Sequence, residues 1–305
     1  MIDVENLTKK FGDFTAVEDL TLHVGEGEVF GFLGPNGAGK TTTVRMLAGL
    51  ISKTSGTARI GEYNIGNPAD LQNIRRIIGL LPDNVGLYEE LSAYQNLDVY
   101  GRFYKCSKEH RQERIEYFLK MLGLWDERNE RAGRFSKGMK QKLAIARALI
   151  HDPQILFLDE PTANLDPEAS KTVRDFILEL KKENRTIFLN THLLDEANRI
   201  CDRVGIMKRK LLAVDTPENL ITSLGGYKTV IQLERINDKI VEAVKRIKPG
   251  MVEVDGNKII VDVVDAGKEN PEILEAVFTA GGRIQLVSEI GHSMEDAYLE
   301  YVRGE

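Results

Sequence analysis

The sequence predicts an α/β domain built on a largely parallel sheet, followed by a smaller α+β domain. Three observations carry this. Short apolar runs alternate with helical patterns from the start to about residue 220, the signature of strands joined by helical crossovers. Residues 34–41, Gly34-Pro35-Asn36-Gly37-Ala38-Gly39-Lys40-Thr41, fit GxxxxGK[ST] at every fixed position and stand between an apolar run and a helical pattern. Gly225-Gly226 then punctuates the chain after Leu224, and a second pattern begins. At 305 residues the chain exceeds the usual size of one core. The expected division is residues 1–224 and 225–305.

Each element follows from its local pattern. Val4 to Leu7 and Ala16 to Val24 are the first strand candidates, and Glu28-Val29-Phe30-Gly31-Phe32-Leu33 reads as a short buried strand. Thr42 to Leu50 reads as a helix with Gly49 near its end. Ile77 to Leu81, Ile155 to Leu158, Thr186 to Asn190 and Val204 to Met207 are the later strands. Between Leu91 and Ile150 no strand-like run occurs, and apolar residues return at helical spacing, as at Ile115, Phe118, Leu119 and Leu122. That spacing predicts a helical insertion over about 91–150. In the smaller domain, Thr229 to Leu233 reads as a strand and Asp238 to Lys248 as a helix with Ile240, Val241, Val244 and Ile247 on one face. Lys258 to Val264 follows as a strand, then a helix from Pro271 to Ala280 stopped by Gly281-Gly282. A strand from Arg283 to Val287 and a helix from Ser293 to Val302 complete the pattern, with Ser293 and Asp296 at capping-box spacing. The β-α-β-rich order suggests a ferredoxin-like arrangement.

The chemistry begins at the glycine loop. Gly34, Gly37 and Gly39 let successive backbone N–H groups, Asn36 included, turn toward one concavity and meet phosphate oxygens that a Cβ would hold away. Lys40 supplies a point charge, the Thr41 hydroxyl is placed to ligate Mg²⁺, and the helix that runs on through Thr42 offers its positive end to the phosphates. This combination points to a nucleoside triphosphate with Mg²⁺. Further on, Ile155-Leu156-Phe157-Leu158 ends in Asp159-Glu160. Alone, such an ending is more often a solvated strand end. Downstream of a phosphate loop, Asp159 is placed to hold Mg²⁺ and Glu160 to orient or deprotonate the attacking water.

Phe135-Ser136-Lys137-Gly138-Met139-Lys140-Gln141 precedes a helix just upstream of the Asp159-Glu160 strand, Asn164-Leu165-Asp166 follows it, and Thr191-His192 follows the next strand. In this order the chain resembles the ATP-binding cassette (ABC) family over about residues 1–220, with its LSGGQ-type signature, D-loop and switch histidine. The resemblance implies an ABC-type nucleotide-binding domain and an ATP hydrolase whose two cassettes dimerise head to tail around ATP. It implies that Phe11 stacks on adenine, although a phenylalanine there, taken alone, more often belongs to a core. Ser136 and Gly138 would reach the γ-phosphate from the opposite subunit, His192 would hydrogen-bond the γ-phosphate and the water, and Asn164 and Asp166 would communicate across the interface.

Two positions depart from the family pattern. Asp83 stands where the Q-loop glutamine is usual; it can approach Mg²⁺ or its water but cannot donate as an amide does. Lys137 replaces the commoner glycine of the signature, and two readings stand: a cation that snorkels to solvent or one that adds charge near the phosphates.

The net charge of −6, with no long basic block, argues against nucleic acid as the main partner. Cys106 and Cys201 stand far apart without a metal-ligand neighbourhood, which suits a reduced cytoplasmic setting. Met1-Ile2-Asp3-Val4-Glu5 lacks the regions of a signal peptide, and no apolar run approaches the ~18 residues of a membrane span. The expected partners are therefore a separate transmembrane permease subunit and a second cassette, identical or paired, at the cytoplasmic face of the membrane. The run from Val4 to Met207 with a small C-terminal domain most resembles the ABC-2, multidrug-exporter-like branch, which implies export. The alternatives are a soluble ABC ATPase acting on nucleic acid or a ribosome, and an ATPase regulated by a ligand of residues 226–305.

Overall fold

The computed structural model describes residues 1–82, 86–225 and 227–303, so Asp83 and Gly226 lie outside the described residues. The chain divides into two compact units, Met1–Pro217 and Glu218–Glu305, and the division falls ahead of the Gly225-Gly226 break.

In the first unit, β1 (Ile2–Phe11) and β2 (Phe14–Val24) form a hairpin, and β4 (Ser55–Ile60) and β5 (Tyr63–Asn64) extend it into an antiparallel sheet of order β2-β1-β4-β5. The central sheet contains β3 (Val29–Leu33), β6 (Ile78–Leu81), β7 (Ile155–Asp159), β8 (Thr186–Thr191), β9 (Arg203–Lys208) and β10 (Lys210–Asp215), in the order β10-β9-β3-β8-β7-β6. All neighbours are parallel except β10, which runs antiparallel to β9. Strands β3, β7 and β8 are buried along their whole length, as strands covered on both faces must be, which explains their unbroken apolar runs. Phe30, Phe32 and Phe157 all pack on Phe188 with ring centres 5.2–5.6 Å apart, joining three neighbouring strands in one core.

The helices of this unit are α1 (Lys40–Leu47), α2 (Leu71–Ile77), α3 (Ala93–Phe103), α4 (Lys108–Met121), α5 (Lys137–Leu149), α6 (Pro167–Lys182), α7 (Leu194–Ile200) and α8 (Pro217–Thr222), the last crossing into the second unit. The expected insertion is α3, α4 and α5. Ser92 caps α3 in a capping box with Gln95, Ser107 caps α4 and Ser136 caps α5, each satisfying an N–H that the helix leaves unpaired. Leu97, Ile115, Phe118, Leu119 and Leu143 are fully buried, so the helical spacing read from the sequence marks the buried faces.

His151 fastens the end of α5 to the central sheet. Its Nε2–H donates to the Ile78 carbonyl at 2.9 Å, its ring stacks on Tyr104 with centres 3.6 Å apart, and its Nδ1 is buried without a partner among the described residues. Burial lowers the imidazole from 6.5 to about 4, against the opposing pull of the Ile78 hydrogen bond and Asp152. The fold therefore favours the neutral ring. Its contribution is complete above about pH 6.5, where the unfolded ring is also neutral, and is lost as pH falls toward the folded value. One imidazole should titrate near pH 4 in a histidine NMR titration. A His151→Phe variant should lose that resonance and show a flatter decline of stability between pH 6.5 and 4.

The second unit runs β11 (Tyr227–Leu233), α9 (Asp238–Ile247), β12 (Val252–Asp255), β13 (Lys258–Val263), α10 (Ala266–Thr279), β14 (Ile284–Ile290) and α11 (Met294–Arg303). Its sheet is antiparallel, in the order β12-β13-β11-β14. Ile231, Leu233, Ile259, Val261 and Val263 join Ile240, Val244, Ile273 and Val277 of α9 and α10 in one core. Helix α10 starts before the expected Pro271, because Asp265 caps it and accepts from the Lys268 N–H, with Pro271 inside the helix. Ser293 and Asp296 bond each other reciprocally, as their spacing predicts, and Asp296 also pairs with Lys228 at 2.5 Å, tying α11 to β11.

Candidate nucleotide site

Because β3, β8 and β7 are parallel neighbours, the loops at their C-terminal ends share one edge of the sheet, where a ligand crevice forms. Those ends carry the glycine loop, Thr191-His192 and Asp159-Glu160 respectively. Three motifs distant in sequence are brought together by topology alone.

The glycine loop is held by close packing. A Cβ on Gly34 would collide with the Met207 carbonyl oxygen, and Gly39 caps α1 at φ +100°, where a Cβ would run into the Ala16 carbonyl. The cleft over the loop measures about 230 Å³ and is lined from Pro35 to Thr42, by Asp159 and Glu160, and by Phe14 and Ala16 of β2. Lys40 is buried, and its ammonium donates to the Gly34 and Pro35 carbonyls. Thr41 Oγ1 donates to Asp159 Oδ2 at 2.9 Å, and Asn190 Nδ2 donates to Asp159 Oδ1 at 3.1 Å.

Glu160 sits at φ +48°, a conformation uncommon outside glycine, and its N–H bonds the Asn190 carbonyl at 2.9 Å. This turn brings Glu160 Oε1 to His192 Nδ1 at 2.9 Å. An ionised carboxylate only accepts, so Nδ1 carries the proton. Glu160 Oε2 and Asn190 Oδ1 are buried with no partner among the described residues. Behind them, Thr162 and Glu196 are buried; Thr162 Oγ1 donates to Glu196, and Arg174 reaches the same carboxylate at 2.7 Å. This joins the loop after β7 to α6 and α7.

The donor set fits Mg-ATP. A hydroxyl and a carboxylate in contact offer the oxygen ligands a hard divalent cation takes, and two acceptors beside them, Glu160 Oε2 and Asn190 Oδ1, are buried without a partner among the described residues.

The remaining sequence-predicted residues are placed elsewhere. Ser136 caps α5 through the Met139 N–H at 3.2 Å, and Gly138 lies against the first turn of α6, where a Cβ would approach Ala169 Cβ to 3.2 Å. Asp166 caps α6, accepting from the Ala169 N–H at 2.8 Å, and Asn164 adopts φ +59°. Ser136, Gly138, Asn164 and Asp166 do not line the cleft. Lys137 is exposed at the start of α5, which is compatible with both of its readings. Phe11 and Phe14 pair across the end of the β1–β2 hairpin. Both rings are about half exposed; Phe14, beneath the Arg209 guanidinium at 5.0 Å, lines the cleft, whereas Phe11 does not and has the Lys9 ammonium 4.8 Å from its ring centre. Sequence reasoning missed Phe14, Asn190, Thr162 and Glu196. The available signals were the second aromatic of Phe11-Gly12-Asp13-Phe14 and a polar Asn190 ending an apolar strand.

The profile of the ABC transporter family matches residues 17–163. The bacitracin transport ATP-binding protein BcrA of Bacillus licheniformis is 36% identical, over 100% of this chain and 98% of its own. The linearmycin resistance ATP-binding protein LnrL of Bacillus subtilis (strain 168) is 34% identical over 81% of this chain and 79% of its own. Among solved structures, the dimeric post-hydrolysis state of the ATP-binding cassette MJ0796, bound to ADP and Pi, superposes with a TM-score of 0.65 at 28% identity, covering 71% of this chain and 98% of that one. Relatives that match along nearly the full length, on a fold that sets the glycine loop beside Asp159 and Glu160, leave one conclusion: the chain belongs to the ABC transporter family, as an ATP-binding subunit.

Proposed function

We propose that the chain is the ATP-hydrolysing subunit of an export transporter, closing with a second cassette around two ATP molecules to drive a separate membrane permease. The observation that carries this reading is the division of the motifs. One cleft holds the glycine loop, the Thr41–Asp159 contact and Glu160, with His192 hydrogen-bonded to Glu160, while Ser136 and Gly138 do not line it and can complete the cleft of another cassette. Their position at the start of α5 suits them to a phosphate presented by that second chain.

Within the cleft, Lys40 offsets phosphate charge, and Thr41 and Asp159 hold Mg²⁺, which supplies positive charge to the phosphates when bound. Glu160 takes a proton from the water whose oxygen bonds to the γ-phosphorus as the bond to the bridging oxygen breaks and ADP leaves. His192, donating to Glu160, orients that carboxylate. The second unit, Glu218–Glu305, has a ferredoxin-like strand order and carries none of the nucleotide motifs, which suits an accessory role.

Among the described residues no helix is long and apolar enough to cross a membrane. In this reading the permease is a separate chain and the subunit works at the cytoplasmic face of the membrane. Export follows from relatives named for bacitracin transport and linearmycin resistance. Affinity capture of the chain from detergent-solubilised membranes, with identification of any multi-span membrane protein that copurifies, tests the assignment. Copurification with stimulated ATPase activity supports it. An ATPase that ignores the membrane protein and sediments with ribosomes overturns it.

A further inference from the structure

Asn190 is fully buried one residue from the end of β8, directly opposite Asp159 in the β7–β8 register. Its Nδ2 donates to Asp159 Oδ1 at 3.1 Å, leaving Oδ2 to Thr41 at 2.9 Å. Its carbonyl accepts from the Glu160 N–H at 2.9 Å. One residue thus touches both members of the acidic pair. The amide orientation is fixed by chemistry, because an ionised Asp159 can only accept and the nitrogen must face it. The consequence is an amide oxygen, Oδ1, buried without a partner among the described residues. A leucine of similar size would fill an apolar strand position but would take a donor from the buried Asp159 carboxylate, so the asparagine serves that carboxylate rather than the packing.

We propose that Asn190 is a positioning residue for the divalent cation. It pins one oxygen of Asp159, which holds the carboxylate with its other oxygen toward Thr41, and it presents Oδ1 to water at the site. The inference rests on the reading of Thr41 and Asp159 as the Mg²⁺ ligands. Partners that orient a ligating carboxylate typically contribute 10–100-fold to metal affinity, which sets the scale of the effect.

The test is a titration of the full chain with Mn²⁺, followed by electron paramagnetic resonance in the presence of a non-hydrolysable ATP analogue, beside nucleotide binding in EDTA. Asn190→Leu should raise the half-saturating Mn²⁺ about 10-fold and leave binding in EDTA unchanged. Asn190→Ser, whose hydroxyl can still donate to Asp159, should recover most of the affinity. Asn190→Ala carries the same expectation as leucine if the larger side chain impairs folding. An Asp159→Ala control separates the two levels of the argument. If that control loses Mn²⁺ while Asn190→Leu and Asn190→Ala bind it as the wild type does, the positioning role is overturned and the metal site stands. If the control also binds Mn²⁺ normally, the metal-site reading fails and the positioning role with it.

Discussion

Lys40→Ala is expected to weaken ATP binding by about 100-fold and to lower turnover at sub-saturating ATP in proportion. Hydrogen bonds to charged groups contribute about 1.5–3 kcal/mol, and each 1.4 kcal/mol is tenfold in affinity. Lys40 belongs at the upper end because it is 7% exposed, so little water screens its charge. The same ammonium also bonds the Gly34 and Pro35 carbonyls, so its removal loosens the loop as well as deleting a cation. Lys40→Arg keeps the charge but spreads it over a planar fork too large for that pocket, and should rescue little. Fluorescent-nucleotide binding and phosphate release at saturating Mg²⁺ measure both effects. Wild-type hydrolysis by Lys40→Ala would remove this residue from the site.

The parts of this site that were legible in the sequence are those whose chemistry is local. A loop that must admit phosphate needs glycines at fixed offsets, and the structure gives two of them a steric cause in Met207 and Ala16, far away in sequence. The strand ends at Asp159-Glu160 and Thr191-His192 could be read because buried parallel strands are unbroken apolar runs that stop where the crevice begins.

What was not legible depends on pairing across long separations. The antiparallel sheet of β1, β2, β4 and β5 has short or irregular strands, with bulges in β1, so alternation is broken where register shifts. The expectation of a largely parallel domain describes the central sheet and omits this second layer. Strand β10 escaped notice because it is intermediate in burial along nearly its whole length and carries no clean alternation. Phe11 and Phe14 differ by three residues in the same hairpin, and only the turn between them decides which ring lines the cleft. Thr162, Arg174 and Glu196 stand on three separate segments, and no local spacing announces that they meet.

Replacing Glu160 with glutamine should separate ATP binding from hydrolysis more sharply than any other single change. The substitution preserves size, and the amide oxygen can still accept from His192 Nδ1–H at the 2.9 Å position. The left-handed backbone at φ +48° is retained equally well, since both residues carry the same branching. What disappears is the negative charge and the basicity of a carboxylate whose Oε2 is buried and without a partner among the described residues. Loss of a general base costs about 10²–10⁴ in rate, so turnover should fall by at least 100-fold while Mg-ATP binding stays near the wild-type level. Two cassettes that have closed on ATP then cannot reopen through hydrolysis, and the dimer should accumulate. Size-exclusion chromatography with and without Mg-ATP, beside phosphate release, reads both halves. Unchanged turnover would take Glu160 out of the chemistry. Stalled turnover with a chain that stays monomeric in Mg-ATP would keep Glu160 in its role and contradict closure of two isolated cassettes, leaving dimerisation dependent on the permease.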